Sequence, residues 1–348
     1  MEERAVFWGL SQLEGWGQLR LNRAMKGKKG ISPEVLLRKN AAALPFPLTE
    51  LADRWQGVLD RTHAVGGHII SWNDPAYPQG LNHVVDAPNL IHFKGQISAW
   101  RRPLIAVVGT RRCSDAAARW AYQAGAFIAA AGGTLVSGLA LGIDIAAMRG
   151  ALDAGGPVVA CLGHGLERVH PRGHARSAEA MLENGAWVTE YAVDTHVDRW
   201  HFAHRNRIVA GMASATLLVQ SPANGGGMIT ARLAMEYHRD LLVLDPMEDR
   251  PDWEGNRFWL NEGAKCISRL EDIVKEAAVP RPTIPRRRPP EGLVSVWMAL
   301  QGSGGCTVHD VAQAVELPPT QTRRQLLALE LGGWVRRSPG GLFFPSVS

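Results

Sequence analysis

Short apolar runs alternate with helical stretches from residue 104 to about residue 277, and this alternation constrains the fold more than any other feature of the sequence. The runs are rich in β-branched residues and have the length of buried strands. Strands that alternate with helices form a mostly parallel sheet with helices on both faces. We therefore predict a doubly wound α/β core with strands at 104–108, 134–136, 157–161, 187–189, 215–219 and 241–244, and helices at 114–131, 143–153, 175–184 and 228–237.

The segments on either side of this Rossmann-like core, placed at residues 61–278, differ from it in composition. Residues 1–60 carry Leu, Ala and Arg at helical spacing and predict a small helical domain. Residues 279–292 are rich in Pro and Arg, which is typical of an extended linker. Residues 293–348 follow the order helix, helix, helix, hairpin, which predicts a winged helix with Thr307 as a helix cap.

Composition limits the setting in which such a chain works. The 348 residues carry a formal net charge of +5, which permits an anionic partner. The four cysteines lie far apart and predict neither a zinc site nor a disulfide framework, so we expect the cytosol, with no metal and no cofactor. The first residues lack the features of a signal peptide, and no later run reaches the roughly 20 apolar residues of a membrane span.

Polar and glycine residues follow several of the predicted strands. Because ligands of open parallel sheets bind beyond the carboxyl ends of the strands, these residues are candidates for one site. Glycine permits close backbone approach, helix-start amides attract phosphate, and arginine supplies positive charge. The sequence therefore predicts a phosphate-binding rim, which comprises Gly109, Thr110, Arg111, Arg112, Ser137, Gly138, Arg205, Asn206, Arg207, Gly225, Gly226 and Gly227.

Other chemistry has weaker support in the residues. The fingerprints G-x-G-x-x-G and G-x-x-x-x-G-K-[ST] are both absent, which argues against a standard dinucleotide or triphosphate site. Asp144 could act as a base or cap the helix that follows it, and we favour the cap. His196, His201 and His204 lack a carboxylate at a convincing spacing, so we predict no metal site and no catalytic residues. The helix at 320–331 could read duplex DNA through Arg323 and Arg324, or contact only protein.

An ordered series of motifs runs from Tyr77 to Ile267. They are Tyr77-Pro78 with Leu81, Ala87-Pro88, Phe93-Lys94-Gly95, Val107-Val108-Gly109-Thr110-Arg111, Val136-Ser137-Gly138-Leu139-Ala140, Gly142-Ile143-Asp144, Glu190-Tyr191, Arg205-Asn206-Arg207-Ile208-Val209-Ala210-Gly211, Ile229-Thr230-Ala231 and Asn261-Glu262-Gly263-Ala264. In their order and spacing these motifs resemble the DprA (DNA-processing protein A, Smf) family.

The resemblance implies a protein that binds single-stranded DNA in natural transformation, forms homodimers and helps to load the recombinase RecA. By the same resemblance, Arg111 is the principal phosphate contact, with the turns at Gly109-Thr110 and Ser137-Gly138 beside it. Arg172 stands where the family often has a basic residue, and Arg205 and Arg207 are expected to line the same pocket.

The chain also departs from the family pattern. Met148 stands where a His is usual, Ala203 where a Pro is frequent, and His170 where a Tyr is usual, while Gly225 and Gly227 replace residues that are often Ser. The alternative is a nucleotide-processing enzyme similar to the phosphoribohydrolases, in which the glycines at 225–227 act with Thr230 and Glu236. We favour the protein that is not an enzyme.

Overall fold

A computed structural model describes residues 2–26, 31–277, 289–300, 306–331, 334–337 and 342–345. The described residues up to 277 belong to one compact unit, and those from 289 onward belong to a second. Within the described residues no helix is both long and apolar enough to cross a bilayer.

The first unit begins with four helices, α1 (Glu3–Ser11), α2 (Gln18–Lys26), α3 (Pro33–Lys39) and α4 (Leu51–Ala64). Their apolar faces enclose Phe7 and Trp55, and the same cluster includes Ile69 and Leu90 from the neighbouring sheet. Because α4 continues past residue 60 and the core is shared, the limits of a separate helical domain stay a prediction.

A nine-stranded sheet forms the centre of the first unit. Its strands are β1 (His68–Ser71), β2 (Leu90–Gly95), β3 (Leu104–Val108), β4 (Thr134–Ser137), β5 (Val158–Cys161), β6 (Ala186–Thr189), β7 (Ala215–Leu218), β8 (Asp240–Leu244) and β9 (Lys265–Ile267). The spatial order is β1-β2-β6-β5-β4-β3-β7-β8-β9. The pairs from β6 to β9 are parallel, and β1 and β2 join antiparallel at one edge. All six predicted strands are therefore confirmed.

Helices cover the sheet on both faces, which explains why every residue of β3 is buried. They are α5 (Asp115–Ala130), α6 (Ile143–Asp153), α7 (Ala175–Met181), α8 (Arg199–Met212), α9 (Gly226–Glu236), α10 (Glu254–Asn261) and α11 (Leu270–Glu276). Chain order reverses at β3, since the strand that follows it pairs on one side and β7 pairs on the other. This reversal is the topological switch point at which α/β sheets bind ligands.

The second unit is a winged helix, as predicted. It contains α12 (Val294–Ala299), α13 (Val308–Ala314) and α14 (Pro319–Leu331), followed by the antiparallel strands β10 (Val335–Arg337) and β11 (Phe343–Pro345). Thr307 caps α13 by accepting a hydrogen bond from the Asp310 amide at 3.2 Å, so that prediction is confirmed. The predicted linker at 279–292 falls mostly outside the described residues.

Candidate functional site

A pocket of about 420 Å³ opens at the switch point, beyond the carboxyl ends of β3 and β7. We call it the rim pocket. Nine of the residues predicted for the rim line it, namely Gly109, Thr110, Arg111, Arg112, Gly138, Arg205, Asn206, Gly226 and Gly227. The loops after β3 and β4, the first half of α8 and the start of α9 therefore meet at one place, as the strand-end rule predicts.

The loop after β3 is held by Gln220, which follows β7 and is fully buried. The Thr110 amide donates to the Gln220 carbonyl oxygen at 2.8 Å, and the Ser114 amide donates to its side-chain oxygen at 2.9 Å. Ser114 in turn caps α5 by accepting from the Ala117 amide at 3.2 Å. A loop fixed at both ends presents Arg111 and Arg112 to solvent in a defined position.

Arg111 is exposed and its guanidinium carbon lies 5.5 Å from the ring centre of Phe202, a cation–π contact between two lining residues. Neither Arg111 nor Arg112 forms an ion pair with another described residue. Their charge is therefore available to a ligand.

Arg205 forms the floor of the pocket and is only 2% exposed. Its Nη1 donates to the Cys161 carbonyl oxygen at 2.6 Å, while its buried Nε has no hydrogen-bond partner among the described residues. Burial lowers the pKa of the Arg205 guanidinium, and the nearby Asp144 opposes that shift. A Cβ at Gly138 would overlap this guanidinium, so a larger residue there would displace Arg205 from its position.

Asp144 supports the turn after β4 and does not cap α6, so the predicted cap is wrong. Its Oδ2 accepts from the amides of Gly138 at 3.1 Å and Ala140 at 3.4 Å. The cap position of α6 belongs to Gly142, whose φ of 78° lies in the left-handed region that favours glycine. Burial raises the pKa of the Asp144 carboxyl, and the charge of Arg205 partly offsets this. Turn geometry thus outcompetes helix capping for this carboxylate.

The start of α9 supplies backbone donors to the pocket. Gly225 holds the cap position with no side chain to offer, and Gly226 and Gly227 begin the helix within the pocket lining. Amides in the first turn of an eleven-residue helix attract an anion, because they lack partners within the helix. Gly227 packs against Gly109, and a Cβ at either position would meet atoms closer than packing allows.

Arg207 does not line the rim pocket, so the prediction that it shares the pocket with Arg205 is wrong. Its side chain is buried on the other face of α8, where it pairs with Glu190 and with Asp86, the latter at 3.6 Å. Its Nε also donates to His204 Nε2 at 3.1 Å. Arg207 therefore joins α8 to the end of β6 and to the loop before β2.

Three other predicted residues also lie outside the lining. The Ser137 hydroxyl is fully buried and donates to the Val107 carbonyl oxygen at 2.6 Å. Gly225 lies just before the lining glycines, and Arg172 lies in a separate surface depression with Arg168 and His170. Any contact of these residues with DNA stays a prediction.

Among the lining residues that were not predicted for the site are a cation and an aromatic ring, Arg199 and Phe202, both from the first turn of α8. Trp200 lies between them in the chain and is 57% exposed. Its ring centre lies 4.3 Å from that of His201 and 5.6 Å from that of His204. The exposed Trp ring therefore packs on these two histidines, and it does not line the pocket. Arg199 and Phe202 are three positions apart in the sequence, and this spacing could have predicted a basic and an aromatic side chain on one face of a helix.

The rim pocket is strongly basic. Arg111, Arg112, Arg199 and Arg205 line it, and Asp144 is the one carboxylate among its lining residues. Among the described residues, no group of three or more His, Cys, Asp or Glu side chains could hold a metal ion. The arrangement is suited to binding an anion through arginines, backbone amides and aromatic rings.

Both units of the chain match known protein families. Residues 68–278 match the family model described as DNA recombination-mediator protein A, and residues 293–341 match the DprA winged helix domain. Protein Smf of Escherichia coli is 33% identical over 95% of this chain and 92% of its own. The DNA processing protein DprA of Streptococcus pneumoniae is 33% identical over 58% of this chain and 72% of its own.

Two solved structures are similar as well. The DprA structure from Streptococcus pneumoniae superposes with a TM-score of 0.66 at 25% identity and covers 79% of this chain and 99% of its own. The structure of DNA processing protein A from Helicobacter pylori, described for its single-stranded DNA binding mode, has a TM-score of 0.54 at 25% identity. It covers 60% of this chain and 94% of its own.

Proposed function

The chain belongs to the DNA recombination-mediator protein A (DprA) family, and from this premise we propose that its rim pocket binds the phosphates of single-stranded DNA. One observation carries the proposal: four arginines and the start of α9 converge on one pocket at the switch point of the sheet. Arginine forks match phosphate oxygens, and helix-start amides add fixed donors. The Helicobacter pylori relative, with its single-stranded DNA binding mode, supports this ligand.

The aromatic residues beside the arginines favour a single strand over a duplex. Phe202 lines the pocket, and Trp200, two residues earlier on α8, is exposed. The bases of a single strand are free to stack on such rings, whereas those of a duplex are stacked on each other. Because every base has a π-face, binding through phosphates and stacking is tolerant of sequence.

We propose that the protein is not an enzyme. The alternative phosphoribohydrolase-like reaction would use Glu236 with Thr230, but Glu236 is the last residue of α9 and does not line the pocket. Asp144, the one carboxylate in the lining, is already used as an acceptor for two amides. Release of free base from a nucleoside monophosphate would overturn this part of the proposal.

Family membership is the support for three further parts of the proposal. A homodimer would offer two rim pockets to one strand, and a strand held in this way could be passed to RecA during transformation. The natural setting would be the cytosol, where incoming single strands are met. These parts stay predictions that depend on the family, because no described residue identifies the dimer or RecA surface.

The first test compares Arg111→Glu with wild type by fluorescence anisotropy of a labelled single strand. Because Arg111 is exposed and unpaired, we expect a loss of at least about ten-fold, or ~1.4 kcal/mol, with no change in folding. Arg119→Glu is the matched control, since Arg119 is also exposed but lies on α5 outside the pocket.

The salt dependence supplies a second readout for the same pair. For each phosphate contact that Arg111→Glu removes, the slope of log affinity against log salt should decrease by about 0.7. Equal affinity of Arg111→Glu and Arg119→Glu for the single strand would contradict the rim pocket as the binding site.

A further inference from the structure

A second pocket, of about 660 Å³, lies at the opposite end of the sheet from the rim pocket. Leu104, the first residue of β3, lines it, whereas Val108, the last residue, lines the rim pocket. Four residue steps along a strand cover about 13 Å, which gives the scale of the separation. We call this cavity the amino-end pocket, and its volume is in the range of small-molecule sites.

The amino-end pocket is basic without a compensating acid. Arg101, Arg102 and Arg239 line it, and its lining residues include no carboxylate. Arg101 and Arg102 are exposed, and neither pairs with an acid in the described part of the chain. Three like charges around one concave surface attract an anion.

Arg239 is the residue that most needs such an anion. Its Nη2 donates to the carbonyl oxygens of Gly80 at 2.7 Å and Gly211 at 3.3 Å, which hold the guanidinium but bring no negative charge. Its buried Nε has no acceptor among the described residues. Burial lowers the pKa of this guanidinium. Charges that are partly withdrawn from water are usually paired, and Arg239 forms no ion pair with another described residue.

We propose that the amino-end pocket is a second phosphate-binding site, separate from the rim pocket. Planar, multi-donor guanidinium groups bind phosphate bidentately, and the cavity is wide enough for a phosphate with an attached nucleoside. The phosphate could belong to a free nucleotide or to a more distant part of a bound DNA strand. This site goes beyond the proposed function and does not depend on it.

The test uses the double variant Arg101→Glu/Arg102→Glu in the full chain, with Arg119→Glu as the control for charge reversal at an exposed site. A melt without ligand first establishes that both variants are folded. In the free-nucleotide arm, thermal stabilisation by AMP and by inorganic phosphate is measured against chloride at equal ionic strength. Because the rim pocket could bind the same anions, these melts are run in an Arg111→Glu background, where we expect the double variant to lose the stabilisation that Arg119→Glu retains.

In the DNA arm, a labelled tetranucleotide and a much longer single strand are titrated by anisotropy. If the phosphate belongs to the strand, the double variant should bind the long strand about ten-fold more weakly, with the salt slope reduced by about 0.7 per phosphate lost, and the tetranucleotide unchanged. Loss in the first arm alone identifies a free nucleotide. An unchanged result in both arms overturns the proposal, whereas failure of the rim pocket would appear in Arg111→Glu alone.

Discussion

At the scale of single residues, the motif around α8 shows that neighbouring arginines serve different ends. Arg205 and Arg207 are two positions apart, which on a helix rotates them by about 200°. One therefore faces the rim pocket, and the other pairs with Glu190 and Asp86 inside the protein. From the sequence we predicted both arginines for the rim, because α8, the helix that turns them to opposite faces, was not itself predicted.

His92 should make stability depend on pH. It is buried on β2, and burial lowers its pKa to about 4 from the 6.5 of an exposed imidazole. The unfolded chain therefore takes up the proton first, so this stability is complete above pH 6.5 and is lost as the pH falls towards 4. Between pH 7 and pH 5, His92 should lower the free energy of unfolding by about 2 kcal/mol.

Urea denaturation at the two pH values measures this loss. His92→Phe should remove that part of the pH dependence, whereas His196→Phe, at an exposed position, should retain it. An unchanged pH dependence in His92→Phe would place the titrating group elsewhere.

At the scale of elements, a helix or strand could be predicted where its buried residues form a clear apolar pattern in the sequence. Six of the seven parallel strands are buried along most of their length and appear as apolar runs, so these six were found. α8 was not predicted, because Arg205 and Arg207 are buried and interrupt the apolar stripe that normally marks a helix. β9 was also not predicted, because Lys265 and Cys266 at the sheet edge are exposed.

The contact between α5 and α6 gives a prediction at the same scale. Their backbones meet so closely that a Cβ at Gly150 would overlap the Tyr122 carbonyl oxygen. Gly150→Ala should therefore destabilise the protein by about 1–3 kcal/mol, although Ala is the better helix former. Gly57→Ala, on α4 with room for a Cβ, should instead stabilise it by up to about 1 kcal/mol. Thermal or urea denaturation of both variants measures the change in unfolding free energy, and opposite signs would show that packing outweighs helix propensity at Gly150.

At the scale of the whole molecule, the rim pocket belongs entirely to the first compact unit, and the winged helix has a core of its own. We therefore expect Arg323→Glu/Arg324→Glu, two exposed changes on α14, to leave single-strand affinity within about two-fold of wild type. Titration with a duplex in parallel tests the groove-reading alternative. A selective loss of duplex binding would assign that role to α14.

β3 has a mechanical consequence for a molecule with a pocket at each end of this strand. All five of its residues are buried, and backbone hydrogen bonds tie it to β4 on one side and β7 on the other. We expect a strand held in this way to keep its length when a ligand binds, so the distance between the two pockets stays the same. Substitutions in the pockets would then change the affinity for a ligand. The distance that a ligand must span to occupy both pockets would stay constant.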